Sequence, residues 1–161
     1  MGELKVGKGK KVYKINGDLD TSLSYAVYAT ADRLLKHRHA WKTWRALKDF
    51  GCKVYLVAPG LTRFEGSKVY PDFTDLKGRI DVIVPCIRAE YLSGIAENAA
   101  AAKAKYIWFQ EQNWTEELQA ECEERGVNVH RGCILKHKVY KKPWAFFNPC
   151  YWHGWKENKV P

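Results

Sequence analysis

The strongest constraint on the fold is an alternation of short apolar runs with segments of helical character. The runs have the length and composition of buried strands, and they occupy residues 23–30, 53–59, 80–86, 106–110 and 127–130. Strands that alternate with helices pair in parallel through right-handed crossovers, so that helices cover both sheet faces. The sequence therefore predicts an α/β fold, a doubly wound parallel sheet with helices on both faces.

Three helices are predicted between these strands. The first is amphipathic and basic, covers 34–51 and ends at Gly51. An alanine-rich helix covers 89–104, and a third covers 116–125, with Thr115 as its cap and Gly126 as its stop. The segment between the second and third strands is interpreted as loop.

Length, charge and cysteine content restrict the class of protein. The 161 residues suffice for one domain with a sizeable core, and the net charge of +9 favours a polyanionic partner. Five cysteines without regular spacing indicate reduced thiols. Because no apolar run approaches the roughly 20 residues of a membrane span and no signal peptide is recognisable, we expect a cytoplasmic protein with no membrane partner.

In a sheet of this kind, ligands bind beyond the carboxyl ends of the strands. The loops expected there are Ala29–Arg33, Pro59–Gly66, Pro85–Arg88, Gln110–Trp114 and Arg131–Cys133. Arg63 and Arg88 follow two of these strands and Arg33 lies near a third, so together they would form an anion site.

Several segments in collinear order suggest a family: "YAVYATAD", "GCKVYLVAP", "EGSKVYPDFTDLKGRIDVIVP", "AKYIWFQEQ" and "EERGVNVHRGCI". They resemble the small stand-alone CoA-binding proteins with a Rossmann-like fold, which are relatives of the CoA-binding domain of succinyl-CoA synthetase. The resemblance implies the strand order 2-1-3-4-5 and a CoA-binding domain over residues 22–135. The cofactor it implies is coenzyme A or an acyl-CoA.

The resemblance also implies a phosphate site after the first strand. The family usually has Gly-Ala-Ser there, and this chain has Ala29, Thr30 and Ala31. Thr30 would supply a hydroxyl one position early, and the start of the next helix would present N–H groups to the pyrophosphate. The family's Asn-Pro after strand two is replaced by Ala58-Pro59.

Other positions follow from the same resemblance. Arg63 would suit the 3′-phosphate of CoA, Arg88 another phosphate, and Cys133 would lie toward the thiol end. A small buried hydrophobic residue is the alternative interpretation of Cys133. The full set of expected cofactor-binding residues is Ala29, Thr30, Ala31, Arg33, Pro59, Arg63, Pro85, Arg88, Gln110 and Cys133.

The two ends of the chain fall outside the resemblance. Residues 1–21 form a basic tail or edge segment, and the aromatic-rich residues 136–161 are expected to pack irregularly on the domain or on a partner subunit of a homo-oligomer. A set of potential zinc ligands comprises Cys133, His137, Cys150 and His153. Because it lacks a C-x₂-C half, we expect no metal.

The resemblance and the basic residues after the strands predict the binding of CoA or an acyl-CoA, and no catalytic constellation is recognisable. One alternative is an enzyme acting on a CoA thioester through Cys133 and His130, with Glu111 near the same rim. A less favoured alternative is a nucleic-acid-binding protein, because basic grooves with aromatic residues bind single strands.

Overall fold

The computed structural model describes residues 22–49 and 51–137, together with the short strands at 10–11 and 140–141. The strands are β1 Lys10–Lys11, β2 Ser24–Tyr28, β3 Lys53–Val57, β4 Arg63–Phe64, β5 Ser67–Tyr70, β6 Val82–Pro85, β7 Tyr106–Phe109, β8 Asn128–Arg131 and β9 Tyr140–Lys141. The α-helices are α1 Ala31–Leu35, α2 His39–Asp49, α3 Ile95–Ala101 and α4 Glu116–Glu124, and 3₁₀ turns occur at Thr74–Leu76, Ala89–Tyr91 and Ile134–His137.

The main sheet has seven strands in the order β4-β5-β3-β2-β6-β7-β8. All neighbours pair in parallel except β4 and β5, which pair antiparallel. The first to fifth strands predicted along the sequence are β2, β3, β6, β7 and β8. In the sheet they lie in the order β3-β2-β6-β7-β8, which confirms the expected order 2-1-3-4-5.

Helices cover both faces because side chains alternate along each strand. On one face, Val27 and Val84 pack with Leu34 of α1 and Trp44 of α2. On the other face, a second cluster joins β2, β6, α3 and α4; its members include Ala26, Ile83, Ile95 and Leu118. The sheet is thus buried on both sides, which explains its continuous apolar runs.

The segment interpreted as loop before β6 contains two further strands. Arg63 pairs with Lys68, and Phe64 with Ser67, around a turn in which Glu65 and Gly66 both have positive φ. This hairpin adds β5 to the edge of β3, so the sheet has seven strands and not the predicted five. The prediction of a wholly parallel sheet is also wrong, because β4 pairs antiparallel with β5.

Two predicted helices are interrupted. The helix expected over 34–51 is divided into α1 and α2 by a break at 36–38, where His37 has φ 50°. The helix expected over 89–104 begins as a 3₁₀ turn and continues as α3 only after Gly94, whose φ is 80°. The α4 prediction is confirmed: Thr115 Oγ1 accepts a hydrogen bond from the N–H of Leu118.

Most of the two chain ends lies outside the described residues. The exception is a small antiparallel sheet in which Lys10 and Lys11 pair with Lys141 and Tyr140. The predicted aromatic packing of 136–161 therefore falls largely outside the described part of the chain. Among the residues described, no helix has the length and apolar character that crossing a membrane requires.

Candidate functional site

The strand order reverses at β2, because β3 lies on one side of it and β6 on the other. Here the N–H of Cys86 donates to the carbonyl of Tyr28 at 2.7 Å. Two clefts meet this junction, and Cys86 lines one while Tyr28 lines the other. Both therefore adjoin the switch point, where ligands of open α/β sheets bind.

The first cleft, here called the arginine cleft, has a volume of about 580 Å³. Its lining residues come from α1, α2 and the segments after β6, β7 and β8: Arg33, His39, Cys86, Ile87, Arg88, Gln110, Glu111, Gln112, Asn113, Cys133 and Leu135. Four of the predicted cofactor-binding residues meet in this cleft: Arg33, Arg88, Gln110 and Cys133.

The side chain of Gln110 is buried, with only 4 % of its surface exposed, and it makes hydrogen bonds to three other residues. Its Oε1 lies 3.0 Å from the backbone N–H of Ile134 and 3.0 Å from Nε2 of His39. Its Nε2 donates to the carbonyl of Trp108 at 3.4 Å. The side chain thereby holds α2 and the segment after β8 against the end of β7.

The surroundings of His39 favour its neutral form. Burial lowers its pKa, the hydrogen bond to Gln110 raises it, and the charges of Lys42 and Arg33 lower it further, with a net decrease from the ordinary value of 6.5. Because Oε1 of Gln110 can only accept, Nε2 of His39 carries a proton and donates it. The tautomer is therefore fixed by the amide.

Asn113 is the second buried amide of the cleft, with 4 % of its surface exposed. Its Nδ2 donates to the carbonyls of Pro85 at 2.8 Å and Ile87 at 3.0 Å. Its Oδ1 is buried and has no hydrogen-bond partner among the described residues. The side chain thus joins the ends of β6 and β7, and it carries one buried acceptor at a residue that lines the cleft.

The arginines supply positive charge to the cleft. Arg88 pairs loosely with Glu90, at 3.6 Å between Nη1 and Oε1, and both side chains are exposed. Such an exposed pair contributes about 0 to 1 kcal/mol, so the guanidinium can exchange this partner for a ligand anion at little cost.

Two thiols line the same cleft in different environments. Cys86 is buried, and burial is the main reason that its pKa is raised to about 12. Cys133 is only half-buried. A thiol with a raised pKa is a poor nucleophile, so Cys86 behaves as an apolar lining group.

The turn after β2 is built without strain. The N–H of Ala29 donates to the carbonyl of Val57 at 3.0 Å, and Thr30 caps α1 by accepting from the N–H of Arg33 at 3.4 Å. No residue of Ala29–Arg33 has positive φ, so the turn does not require glycine. Ala29, Thr30 and Ala31 line neither cleft.

The second cleft, here called the proline cleft, has a volume of about 520 Å³. It is lined by Tyr28, Pro59, Pro71, Asp72, Phe73, Thr74, Lys77, Asn98, Ala101 and Ala102. Arg63 lies in β4, where its Nη2 donates to the carbonyl of Gly66 at 3.2 Å. Arg63 was expected in a loop, and neither Arg63 nor Pro85 is in the lining of either cleft.

The other candidate groups lie elsewhere. His130 packs against Tyr106, with ring centroids 4.8 Å apart, and is not part of the lining of the arginine cleft. Cys150 and His153 of the potential zinc set fall outside the described residues. In the described part of the chain, no three His, Cys, Asp or Glu side chains are grouped to hold a metal.

The predicted set of cofactor-binding residues did not include His39, Asn113 or Cys86. His39 was assigned to a continuous amphipathic helix. Cys86 and Asn113 lie within two of the loops expected at the ligand site, but neither residue was singled out. The signal for Asn113 was its place in a polar loop just beyond an apolar strand, since its hydrogen-bond partners Pro85 and Ile87 are distant in sequence.

Comparisons with known proteins agree with this architecture. The model of the CoA binding domain family matches residues 24–138. The uncharacterized protein YneT of Bacillus subtilis (strain 168) is 28 % identical over 125 residues, which cover 76 % of this chain and 91 % of YneT.

Solved structures show the same fold. A hypothetical protein from Pyrococcus horikoshii OT3 superposes with a TM-score of 0.60 at 22 % identity, over 70 % of this chain and 78 % of that one. Acetyl-coenzyme A synthetase 1 from Ca. Korarchaeum cryptofilum, in its apo form, gives a TM-score of 0.55 at 23 % identity, over 66 % of this chain and 25 % of the synthetase. With a family model that matches most of its length and this shared fold, the chain belongs to the CoA binding domain family.

Proposed function

We propose that this protein binds coenzyme A or an acyl-CoA, with the arginine cleft as the main contact surface. The observation that carries the proposal is the convergence of Arg33, Arg88, Gln110 and Cys133 on one cleft beside the switch point. Membership of the CoA binding domain family supports the choice of ligand.

The lining of the cleft suits such a ligand. Guanidinium groups bind phosphate through paired hydrogen bonds, so Arg33 and Arg88 would hold phosphate oxygens. Ile87 and Leu135 supply apolar surface to the same cleft, which would suit a methylene-rich arm. Cys133 would lie toward the thiol end of the ligand.

The remaining predicted contacts belong to this proposal. Pro59, in the proline cleft, and Arg63, in β4, would lie toward the nucleotide end. Thr30 would approach the pyrophosphate from the start of α1. Residues 22–135 would constitute the binding module.

A thermal-shift series tests the ligand class. CoA, acetyl-CoA, a bulkier acyl-CoA, NAD and a short oligonucleotide would each be added in large excess. A ligand present at about one hundred times its Kd raises the free energy of unfolding by about 2.7 kcal/mol, which is a readily measured increase in Tm. Stabilisation by the CoA species alone supports the proposal, whereas stabilisation by the oligonucleotide or by none of them contradicts it.

A variant pair tests the position of the site. Arg88→Ala is expected to raise the Kd for CoA at least tenfold, because charge-assisted hydrogen bonds contribute about 1.5 to 3 kcal/mol each. Arg45→Ala removes the same charge from an exposed position of α2 outside the cleft lining and is expected to change the Kd less than about twofold. Equal effects of the two substitutions would indicate general electrostatic attraction and not a site at the arginine cleft.

A further inference from the structure

Asn113 is the one buried amide among the described residues whose oxygen lacks a partner. Both Nδ2 hydrogens are engaged, one by the carbonyl of Pro85 and one by that of Ile87. Gln110, the other buried amide, has its oxygen engaged by His39 and Ile134. Oδ1 of Asn113 is therefore a buried acceptor that receives no hydrogen bond from the described residues.

The orientation of this amide is fixed. A rotation that exchanged Oδ1 and Nδ2 would place an oxygen against two carbonyl oxygens, which repel it. Asn113 lines the arginine cleft, and its buried Oδ1 keeps this orientation before any ligand arrives. A buried acceptor without a donor is unfavourable, so binding a donor there gains more than the same contact at an exposed amide.

The surroundings select the kind of donor. Arg33 and Arg88 line the same cleft and disfavour a cationic group, while a phosphate has no N–H to offer. Cys86 and Ile87 contribute apolar lining. The arrangement suits an uncharged N–H on an otherwise apolar chain, which describes a secondary amide.

We propose that Oδ1 of Asn113 accepts a hydrogen bond from an amide N–H of the pantetheine arm, which makes Asn113 a specificity residue for ligands that carry this arm. The inference rests on the proposed function. It assigns the arm to the part of the arginine cleft beside Asn113 and leaves the phosphates to the arginines.

A comparison of two ligands and two variants tests the assignment. Kd values would be measured by calorimetry for CoA and for adenosine 3′,5′-bisphosphate, which lacks the arm. Asn113→Ala is expected to raise the Kd for CoA tenfold or more and that for the bisphosphate less than twofold. Asn128→Ala, the same change at an exposed position of β8, is expected to alter neither.

The outcomes separate the alternatives. Equal weakening of both ligands by Asn113→Ala would mean that Asn113 only ties the loops after β6 and β7, and unchanged Kd values would mean that water satisfies Oδ1; either result overturns the inference. Failure of the unmodified protein to bind CoA would instead overturn the proposed function.

A measurement on the unmodified protein covers the case in which Asn113→Ala does not fold. A CoA analogue with both pantetheine amides N-methylated lacks the donor. It is expected to bind at least tenfold more weakly than CoA, and equal affinity would overturn the inference.

Discussion

Nε2 of His39 lies 3.0 Å from Oε1 of Gln110, and this contact ties α2 to the carboxyl end of β7. The two residues are 71 positions apart in the sequence, and both line the arginine cleft. The same oxygen accepts a hydrogen bond from the N–H of Ile134. The side-chain amide of Gln110 therefore holds α2, the end of β7 and the segment after β8 together.

The first prediction concerns pH. Because the pKa of His39 is lower in the folded state than its ordinary value of 6.5, the unfolded chain binds more protons in the window between the two. The free energy of unfolding should therefore rise with pH through this window and become flat, as far as this group is concerned, above 6.5. Urea unfolding at a series of pH values measures the slope.

The control for this prediction is His39→Asn. Burial also lowers the pKa of His130, which contributes a slope of the same sign. The single variant should therefore show a smaller slope and not a zero one. An unchanged slope would mean that His39 is not the titrating group.

The second prediction concerns Gln110→Ala. The substitution leaves the buried N–H of Ile134 and the imidazole of His39 without their acceptor. We expect a loss of about 1 to 3 kcal/mol in the free energy of unfolding, measured in urea. Gln112→Ala, an exposed neighbour in the same loop, should change it by less than about 0.5 kcal/mol.

The third prediction concerns thiol reactivity. Of the four cysteines the structure describes, Cys52, Cys86 and Cys122 are buried and Cys133 is half-buried. Burial raises the pKa of Cys86 to about 12 and that of Cys122 to about 11. Iodoacetamide should label Cys133 before these three, as read by peptide mass spectrometry, and saturating CoA should slow that labelling. Faster labelling of Cys86 would contradict the assigned burial.

The fourth prediction concerns the core beneath α2. Trp44 is 1 % exposed and its ring centroid lies 5.5 Å from that of Phe64. Trp44→Ala should cost about 3 to 5 kcal/mol, because it removes buried apolar surface and leaves a cavity. Leu35→Ala, at a position 60 % exposed, should remain within about 0.5 kcal/mol of the unmodified protein.

The fifth prediction concerns the start of α4. Thr115→Ala removes the acceptor for the N–H of Leu118 and should cost about 1 kcal/mol in thermal or urea unfolding. Thr115→Ser keeps the hydroxyl and should retain most of the stability. If serine were no better than alanine, the cap would not be the cause.

The strands of the parallel sheet were predictable from the sequence because buried strands have continuous apolar runs, and their order was expected from the family resemblance. The hairpin of β4 and β5 was not recognised, since its strands are very short and β5 is fixed by non-local pairing with β3. A local signal existed in the Glu65-Gly66 turn. The break at His37 had only a weak signal, because positive φ is uncommon outside glycine even though histidine adopts it more often than most residues.

The site was accessible in part for a similar reason. Arg33, Arg88, Gln110 and Cys133 lie at strand or helix ends, and the topology of the sheet brings such ends together. Asn113 and His39 owe their importance to partners distant in sequence, and residue type does not reveal these partners. Arg63 was expected in a loop but lies in the short strand β4, which pairs with β5.

The turn at Ala29 depends on packing and not on backbone conformation. Its φ is not positive, so an alanine can make the turn without the freedom of a glycine. The methyl group of Ala29 is 1 % exposed and belongs to the core cluster that also contains Leu34 and Trp44. A larger side chain at position 29 would therefore be opposed by overpacking in the core, while a glycine there would only lose a buried methyl group.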